Sequence, residues 1–538
     1  MKLIFVTGGV LSGIGKGIAG ASIGAILKDA GYRVFSQKLD GYLNVDPGTM
    51  NPIQHGEVFV TDDGAETDLD IGHYERFLDT HLNHLSSFTT GKLYEEIIAR
   101  ERKGEYLGGT VQIVPHLTDL VKEKIILGHK ESGADISIIE IGGTIGDMEN
   151  EYFLESARQL RSEYGKENVG FVHVALLPFL MASKELKTKP IQHSIRMLMS
   201  YGISPDFLVV RADNDIQEDI LEKIASTSGL QRHQVISNPT LDTIYRIPIE
   251  FFEADVGKYI LENLQLKNPQ NTMKDWYTLI NNIEHSHDIV TIGMVGKYVA
   301  LEDAYYSLNE GLKCAGFAYK HRIKIRFIDA EKIEAEGTRS LSGLDGICIP
   351  GGFGDRGIDG MIQAVKYARE NKIPYLGICL GSQVMAIEFA RNVLGIKSAN
   401  SAEFVPENTE NVIHLMDTQK NIDKKGGTMR LGAYPCVLSP DTKVFDLYKK
   451  YSQNFEKKDG TYTVFERHRH RYEFNMKYRD AMNKKGFMIS GTSPDGMLTE
   501  MVELRDHPFM VATQAHPEFL SRPTRPHPLL MGFIEAMI

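Results

Sequence analysis

A cysteine set between glycines, Gly377-Ile378-Cys379-Leu380-Gly381, and a later His516-Pro517-Glu518 carry the residue types of acyl-transfer chemistry. A thiol with a free pKa of ~8.5 is mostly protonated at neutral pH. It becomes a good nucleophile when a histidine takes its proton and a carboxylate orients that histidine. The apolar run Ile373-Pro374-Tyr375-Leu376 ahead of Cys379 fits a strand that turns sharply into a helix and exposes the sulfur at the top of a sheet. Glu518 lies two residues after His516, so on a strand both side chains share one face. A buried structural cysteine and an unrelated His-Pro turn are the alternative, and the glycine elbow with its His-x-Glu partner argues against it. Ile349-Pro350-Gly351-Gly352-Phe353-Gly354 follows another apolar run, and a backbone N–H there could complete an oxyanion hole with the amide of Leu380. Glu403 and the run Arg467-His468-Arg469-His470-Arg471 offer a carboxylate for an ammonium and a guanidinium for a carboxylate, as an amino-acid head group requires. The run could instead be a nucleic-acid patch or a solvated strand; an acidic chain without interleaved aromatics weighs against the patch.

A second set of such residues opens the chain. Gly8-Gly9-Val10-Leu11-Ser12-Gly13-Ile14-Gly15-Lys16-Gly17 follows the apolar run Leu3–Val6 and precedes a helical pattern from Ile18 to Asp29. In that setting backbone N–H groups wrap phosphate oxygens, the helix dipole favours their charge, and Lys16 reaches the β- and γ-phosphates. The match to GxxxxGK(S/T) is imperfect. Val10 stands at the first glycine position and Gly17 where a magnesium-binding hydroxyl belongs. A glycine-rich turn without nucleotide is the alternative. If nucleotide binds, carboxylates elsewhere must hold the metal. Glu140, near the C-terminal end of Ile136–Ile141, and Asp70, closing the acidic stretch from Asp62, are the candidates, since magnesium takes one or two carboxylates with phosphate oxygens and waters. The acidic stretch also reads as a solvated face. Lys184, Lys187 and Lys189, with Gln192 close behind, form either a binding set or solvated lysines. Lys38 ends a strand expected to be buried, where a lysine is seldom found unless paired or functional.

Two alternating strand–helix systems must position these groups. The first has strand candidates at Leu3–Val6, Val34–Leu39, Ile136–Ile141, Val169–Leu177 and Phe207–Arg211; the second at Ile289–Gly293, Lys324–Ile328, Gly346–Pro350 and Pro374–Ile378. Continuous apolar strands alternating with helices predict an α/β chain of two doubly wound domains, each with a mostly parallel sheet covered by helices. The boundaries predicted are 1–265, a polar linker at 266–288 with a short helix around Trp276, and 289–538. The polar segment Asn421–Thr428 is expected to be a mobile excursion. Hydrophobic residues at 42% and charged residues at 24% are ordinary for a soluble globular chain. A net charge of −11 disfavours nucleic acid and anionic membrane, so an anionic ligand needs a local basic pocket. Cys314, Cys348, Cys379 and Cys436 form neither a CxxC pair nor a disulfide framework, which fits a reducing cytoplasm. The longest apolar stretch, Gly170–Ala182, contains His173 and Pro178 and cannot span a bilayer.

Several of these motifs together resemble the CTP synthase family, in which an ammonia-ligase domain is fused to a class I glutamine amidotransferase domain. The resemblance covers nearly the whole chain. It rests on the Gly8–Gly17 loop, Lys38–Met50, Gln54–Val60, Gly64–Asp70, Glu140–Asp147, Lys187–Pro190, Gly377–Gln383 and Glu466–Tyr472. It implies that ATP, UTP and glutamine give CTP, ADP, phosphate and glutamate, by phosphorylation of uracil O4 and displacement of phosphate by ammonia. It implies ATP phosphates on Ser12, Gly13, Ile14, Gly15, Lys16, Gly17 and Ile18, with Asp70 beside them, and Mg2+ on Asp70 and Glu140. UTP is implied against Ser12, Lys187, Thr188, Lys189, Pro190, Ile191, Gln192 and Lys223, and inhibitory CTP against Asp147, Met148 and Glu149. Glutamine is implied against Gly352, Leu380, Gly381, Ser382, Gln383, Glu403 and Arg471, with Cys379, His516 and Glu518 catalytic. GTP activation and a homotetramer built as a dimer of dimers follow from the same resemblance. Gly41 departs from it, since the family usually has proline there. Another P-loop amidoligase, of the cobyrinate amide synthase kind, and a catalytically idle filament or scaffold protein are the competing classes. Lys187–Pro190 and Gly64–Asp70 argue against the first, and the intact catalytic set against the second.

Overall fold

The computed structural model describes residues 1–50, 55–297, 302–416, 419, 428–452, 457–458 and 460–538. Gln54 and residues 421–427 of the polar segment lie outside them. The chain divides into two compact units: Met1–Pro47 with Asp70–Ile280, and Gly48–Leu69 with Asn281–Ile538.

The first unit is built on seven parallel strands: β1 (Lys2–Gly9), β2 (Val34–Asp40), β3 (Ser87–Thr89), β4 (Ile136–Ile141), β5 (Val169–Leu176), β6 (Phe207–Ala212) and β7 (Val235–Pro239). Their order is β7-β6-β5-β1-β4-β2-β3. β1 and β4 are buried almost throughout, as continuous apolar strands in a sheet flanked by helices must be. The chain leaves β1 for one side of the sheet, and after β4 it crosses to the other through β5. Ligands bind at such a reversal, beyond the carboxyl ends of the strands. The glycine loop after β1 opens helix α1 (Lys16–Asp29), and Glu140 lies one residue from the end of β4. Helix α2 (Leu69–Leu78) carries Asp70 in its first turn. Helix α3 (Lys189–Ser200) begins with Lys189 and Pro190, a residue favoured in a first turn because its missing N–H is not needed there.

In the second unit β8 (Asp288–Gly296), β9 (His321–Asp329), β10 (Gly346–Ile349) and β11 (Tyr375–Ile378) pair in parallel, and β11 pairs in parallel with β16 (Met510–Thr513). The sheet then continues antiparallel through β15 (Thr499–Leu504), β14 (Phe487–Thr492), β12 (Arg430–Leu438) and β13 (Thr461–His470), ending at Lys457–Lys458. It is therefore a mixed sheet. Its two faces follow the period of two. Ile347, Ile349 and Tyr375 enter one apolar core, Cys348 and Leu376 the other. Helix α4 (Leu380–Asn392) springs directly from β11. The segment Gly48–Leu69 also belongs to this unit, although it arises between two strands of the first. Its hairpin, Phe59–Val60 against Glu66–Thr67, is held by Arg467 of β13, which donates to Asp62 at 2.5 Å and to the carbonyl of Val60 at 3.0 Å. Arg469 donates to Glu66 at 2.9 Å. Helix Lys274–Glu284 contains Trp276. Among the described residues no helix is long and apolar enough to cross a membrane.

Candidate active sites

The first site gathers at the carboxyl ends of β1, β2 and β4. Val10 has φ 80°, Gly13 71° and Gly15 83°, so the loop turns through left-handed conformations, one of them at a β-branched residue that tolerates it poorly. Such strain is sustained where the surroundings over-determine it. Lys16 is buried and donates to the carbonyl of Gly143 at 2.6 Å. Burial lowers its pKa, and Glu140 is the strongest opposing influence. Lys38 makes a close ion pair with Asp70 and lies 3.5 Å from Asp40. Glu140 is buried and accepts from the Tyr74 hydroxyl at 2.9 Å. Burial raises the Glu140 pKa, and the neighbouring Asp70 carboxylate raises it further. Two carboxylates that destabilise each other's charge beside a phosphate-type loop suit a divalent cation, which relieves the repulsion. Among the described residues no cluster of three or more His, Cys, Asp or Glu could hold a metal by itself, so phosphate oxygens and water would have to complete the coordination.

Gly17 explains its own departure from the phosphate-loop pattern. A Cβ there would lie 3.0 Å from Asp70 Oδ1 and 3.3 Å from Glu140 Oε2. The space a serine or threonine would fill is occupied by the two carboxylates. The acidic stretch is not a solvated face either: Asp62 and Glu66 pair with arginines, Asp68 lies 3.3 Å from His55, and Asp70 meets Lys38.

The other nucleotide candidates are more dispersed. Thr188 precedes α3, and Gln192 donates to its hydroxyl at 3.3 Å. Lys187 is 3.1 Å from Glu185, while Lys223 is exposed on the separate helix Glu218–Ser228. Ser12 is exposed in the loop. Asp147, Met148 and Glu149 are exposed after β4, with Asp147 accepting from the Thr144 amide at 2.7 Å. Gly41 lies against this segment, where a Cβ would come within 2.9 Å of Glu149 Cβ and 2.6 Å of Asn150 Oδ1.

The second site surrounds Cys379. The cysteine has φ 52° and ψ −99°, a strained turn between β11 and α4 that aims its side chain out of the sheet. Gly381 permits that turn, because a Cβ there would sit 2.2 Å from the carbonyl of Ile349. His516 and Glu518 are not on a strand, as their spacing suggested. They follow β16 at a short 3-10 turn, Pro517–Phe519, and still meet, with His516 Nδ1 and Glu518 Oε1 2.7 Å apart. Burial disfavours the imidazolium, but Glu518, with help from Cys379, overrides it and raises the His516 pKa to about 10. His516 Nε2 is buried and, among the described residues, has no oxygen or nitrogen partner, which leaves it to the Cys379 thiol. The Cys379 sulfur receives the Gln514 amide at 3.5 Å.

A cavity of about 260 Å³ opens on this group, lined by Cys379, His516, Gly351, Gly352, Phe353 and Arg469, and on another wall by Gly48, Glu57 and Val58. Leu380, Gly381 and Ser382 begin α4 beside it, and Gln383 donates to Tyr472 O and Gln514 Oε1. Glu403 accepts from the Gly354 amide at 2.7 Å. Arg471 donates to Gln419 and Thr428, each at 2.9 Å. The Arg467–Arg471 run is neither a solvated strand nor a nucleic-acid patch, since Arg467, His468 and His470 are buried and burial lowers the pKa of both histidines. Sequence reasoning missed Gln514, two residues before His516, although the spacing offered the same signal used for Glu518. It also did not place Gly48, Glu57 and Val58 at this cavity, although they fall within motifs that carry the family resemblance.

Residues 2–266 match the family described as CTP synthase N-terminus, and residues 300–536 that of glutamine amidotransferase class-I. The CTP synthase of Bacillus subtilis (strain 168) is 51% identical over 538 residues, spanning 100% of this chain and 98% of that protein. That of Carboxydothermus hydrogenoformans is 52% identical over the same length, again 100% and 98%. A solved glutaminase domain of a Trypanosoma brucei CTPS with bound acivicin is 38% identical, with TM-score 0.42, covering 46% of this chain and 93% of that one. With half of its residues identical to these relatives from end to end, the chain belongs to the CTP synthase family.

Proposed function

We propose that this enzyme aminates UTP to CTP with ammonia taken from glutamine, the second unit releasing ammonia and the first activating the uracil ring with ATP. One observation carries the reading: a strained Cys379 elbow beside His516–Glu518 and a lysine-bearing phosphate loop beside two carboxylates occur in one chain. In the glutaminase half, the Cys379 sulfur attacks the side-chain amide carbon of glutamine. His516 carries the thiol proton to the leaving nitrogen, ammonia departs, and water cleaves the thioester to glutamate. Glu518 holds the imidazole and stabilises its charged form. The amides of Leu380 and Gly352 stabilise the oxyanion. Glu403 and Arg471 receive the ammonium and carboxylate of the substrate, with Gly381, Ser382 and Gln383 bordering it.

In the ligase half, the loop Gly13–Ile18 wraps the ATP phosphates and Lys16 neutralises their charge. Asp70 and Glu140 would hold Mg2+, which supplies charge neutralisation at the phosphates when bound. The γ-phosphoryl group passes to O4 of UTP, held by Ser12, Lys187–Gln192 and Lys223, and ammonia then displaces phosphate at C4. Lys38, paired with Asp70, adds a second cation at this site. CTP bears an amino donor where UTP has an acceptor, which suits Asp147 and Glu149 as the feedback contact. GTP activation and a homotetramer complete the reading from the family. We assign the chain to the cytoplasm, where its four free, buried cysteines stay reduced.

The test is direct. Incubation with glutamine, ATP, UTP and Mg2+ should give CTP, and a nucleotide panel without UTP should not. Cys379→Ala should lose glutamine-dependent synthesis yet retain synthesis from ammonium salt. Retained glutamine-dependent synthesis in that variant, or loss of both activities in a folded one, would overturn the two-site reading.

A further inference from the structure

The loop Gly351-Gly352-Phe353-Gly354 must present a fixed N–H to an oxyanion, yet three of its four residues are glycines. Glycine peptides reorient at little steric cost, so the loop cannot hold its own geometry. Lys297, one residue beyond β8, is 7% exposed, and its ammonium donates to the carbonyls of Phe353, at 3.0 Å, and Gly354. The N–H of Gly354 donates to Glu403 at 2.7 Å. One peptide unit, between Phe353 and Gly354, is thus gripped at its oxygen by a cation and at its nitrogen by an anion. The lysine stem passes under the loop, with Cδ 3.9 Å from where a Cβ of Gly352 would be, and Lys297 lies over the Phe404 ring at 5.9 Å. Arg356 donates to the Lys297 carbonyl at 2.9 Å, tying the backbone of this residue to the far side of the same loop. A nearly buried ammonium spent on two backbone carbonyls is costly unless its charge is used.

We infer that Lys297, together with Glu403, is a positioning residue that locks the glycine loop with the Gly352 N–H turned toward the Cys379 acyl site. The inference rests on the glutaminase reading above and assigns it a residue outside the Cys-His-Glu set. Burial also holds Lys297 at a pKa of about 8, so its charge at neutral pH is maintained within a narrow margin, with Glu403 the main opposing influence.

Lys297→Met keeps the stem and removes the charge. Its kcat for glutamine hydrolysis should fall about 100-fold, the order seen when an oxyanion donor is lost, with KM within about two-fold of wild type. Lys297→Arg should recover part of the loss. Alkylation of Cys379 by iodoacetamide and ammonia-dependent CTP synthesis should not change, because neither uses the oxyanion. Wild-type kcat in Lys297→Met would overturn the inference. So would a parallel fall in alkylation or ammonia-dependent synthesis, which would mark a general structural part. A wild-type chain without glutamine hydrolysis would overturn the underlying reading as well, and is distinguished by that control.

Discussion

Replacing Gly17 with alanine tests the carboxylate pair through a single methyl group. Gly17 is the second residue of α1, where alanine by itself favours helix by about 1 kcal/mol, so the fold should not suffer. The new Cβ would lie 3.0 Å from Asp70 Oδ1 and 3.3 Å from Glu140 Oε2, whereas ordinary contact is 3.4–4 Å. Asp70 must then retreat by about 0.4 Å, beyond the ~0.2 Å that a metal site tolerates. It cannot do so freely, because Lys38 grips it and His73 lies 3.7 Å away on the other oxygen. Displacing groups that orient a metal costs about 10–100-fold, or about 1.4–2.7 kcal/mol. CTP formation from ammonium salt should fall by that factor, with a higher Mg2+ requirement, while glutamine hydrolysis at Cys379 stays within about two-fold of wild type. Gly17→Ser should be no better, although it restores the hydroxyl of the usual phosphate loop, since it carries the same Cβ. Measuring CTP by absorbance across a Mg2+ titration decides it: a wild-type rate and wild-type Mg2+ requirement in Gly17→Ala would refute the placement of metal on Asp70 and Glu140.

Other substitutions probe the remaining assignments. Asp70→Asn should abolish CTP formation from ammonia as well as from glutamine without altering thermal unfolding, and near-normal ammonia-dependent synthesis would remove Asp70 from the site. Glu149→Ala should weaken inhibition by CTP more than use of UTP; Gly41→Ala, which drives a methyl toward Glu149 and Asn150, should do the same, and unchanged CTP inhibition in both would exclude this segment from feedback. Lys297 is charged below pH about 8 and neutral above it, in a setting shared with Glu403, Asp355, Arg356 and Glu334. The kcat for glutamine hydrolysis should therefore decline as pH rises through about 8, and Lys297→Met should lack that decline; an identical limb in both proteins would assign it to another group.

Where chemistry is local, the residues announced their arrangement. The β1 loop, the end of β4 and the Cys379 elbow each depend on a strand running into a turn, and a run such as Ile136–Ile141 needs only continuous apolar character to be read as such a strand. The His516–Glu518 contact was legible, but its conformation was not, because Pro517 favours a 3-10 turn over the extended chain that a spacing of two suggests. The antiparallel half of the second sheet escaped for a physical reason. Thr461–His470 ends in the polar run Glu466-Arg467-His468-Arg469-His470, and Glu466 and Arg467 are buried because partners distant in sequence, His527 and Asp62, satisfy them. Polarity normally signals solvent, so a buried polar strand is invisible until its partners are known. Lys297 is similar: nothing in Val295-Gly296-Lys297 predicts two carbonyls from a loop more than fifty residues away.

The hairpin at Phe59–Thr67 has a consequence for how the molecule is made. Its anchors, Arg467 to Asp62 and Arg469 to Glu66, span 405 and 403 residues of sequence. On a ribosome adding about 5–20 residues per second, Asp62 would wait roughly 20–80 s for its arginine to be synthesised. Until then the acidic hairpin lacks the two arginines that pair with Asp62 and Glu66. The second unit therefore closes late, after β13 has emerged, because one piece of it, Gly48–Leu69, is made long before the rest. A fragment stopping at Ile280 would carry the phosphate loop, Lys38 and Glu140, and yet leave this stretch unanchored. The order of synthesis thus leaves completion of the second unit to a strand near the end of the sequence, and its earliest piece must stay available until then.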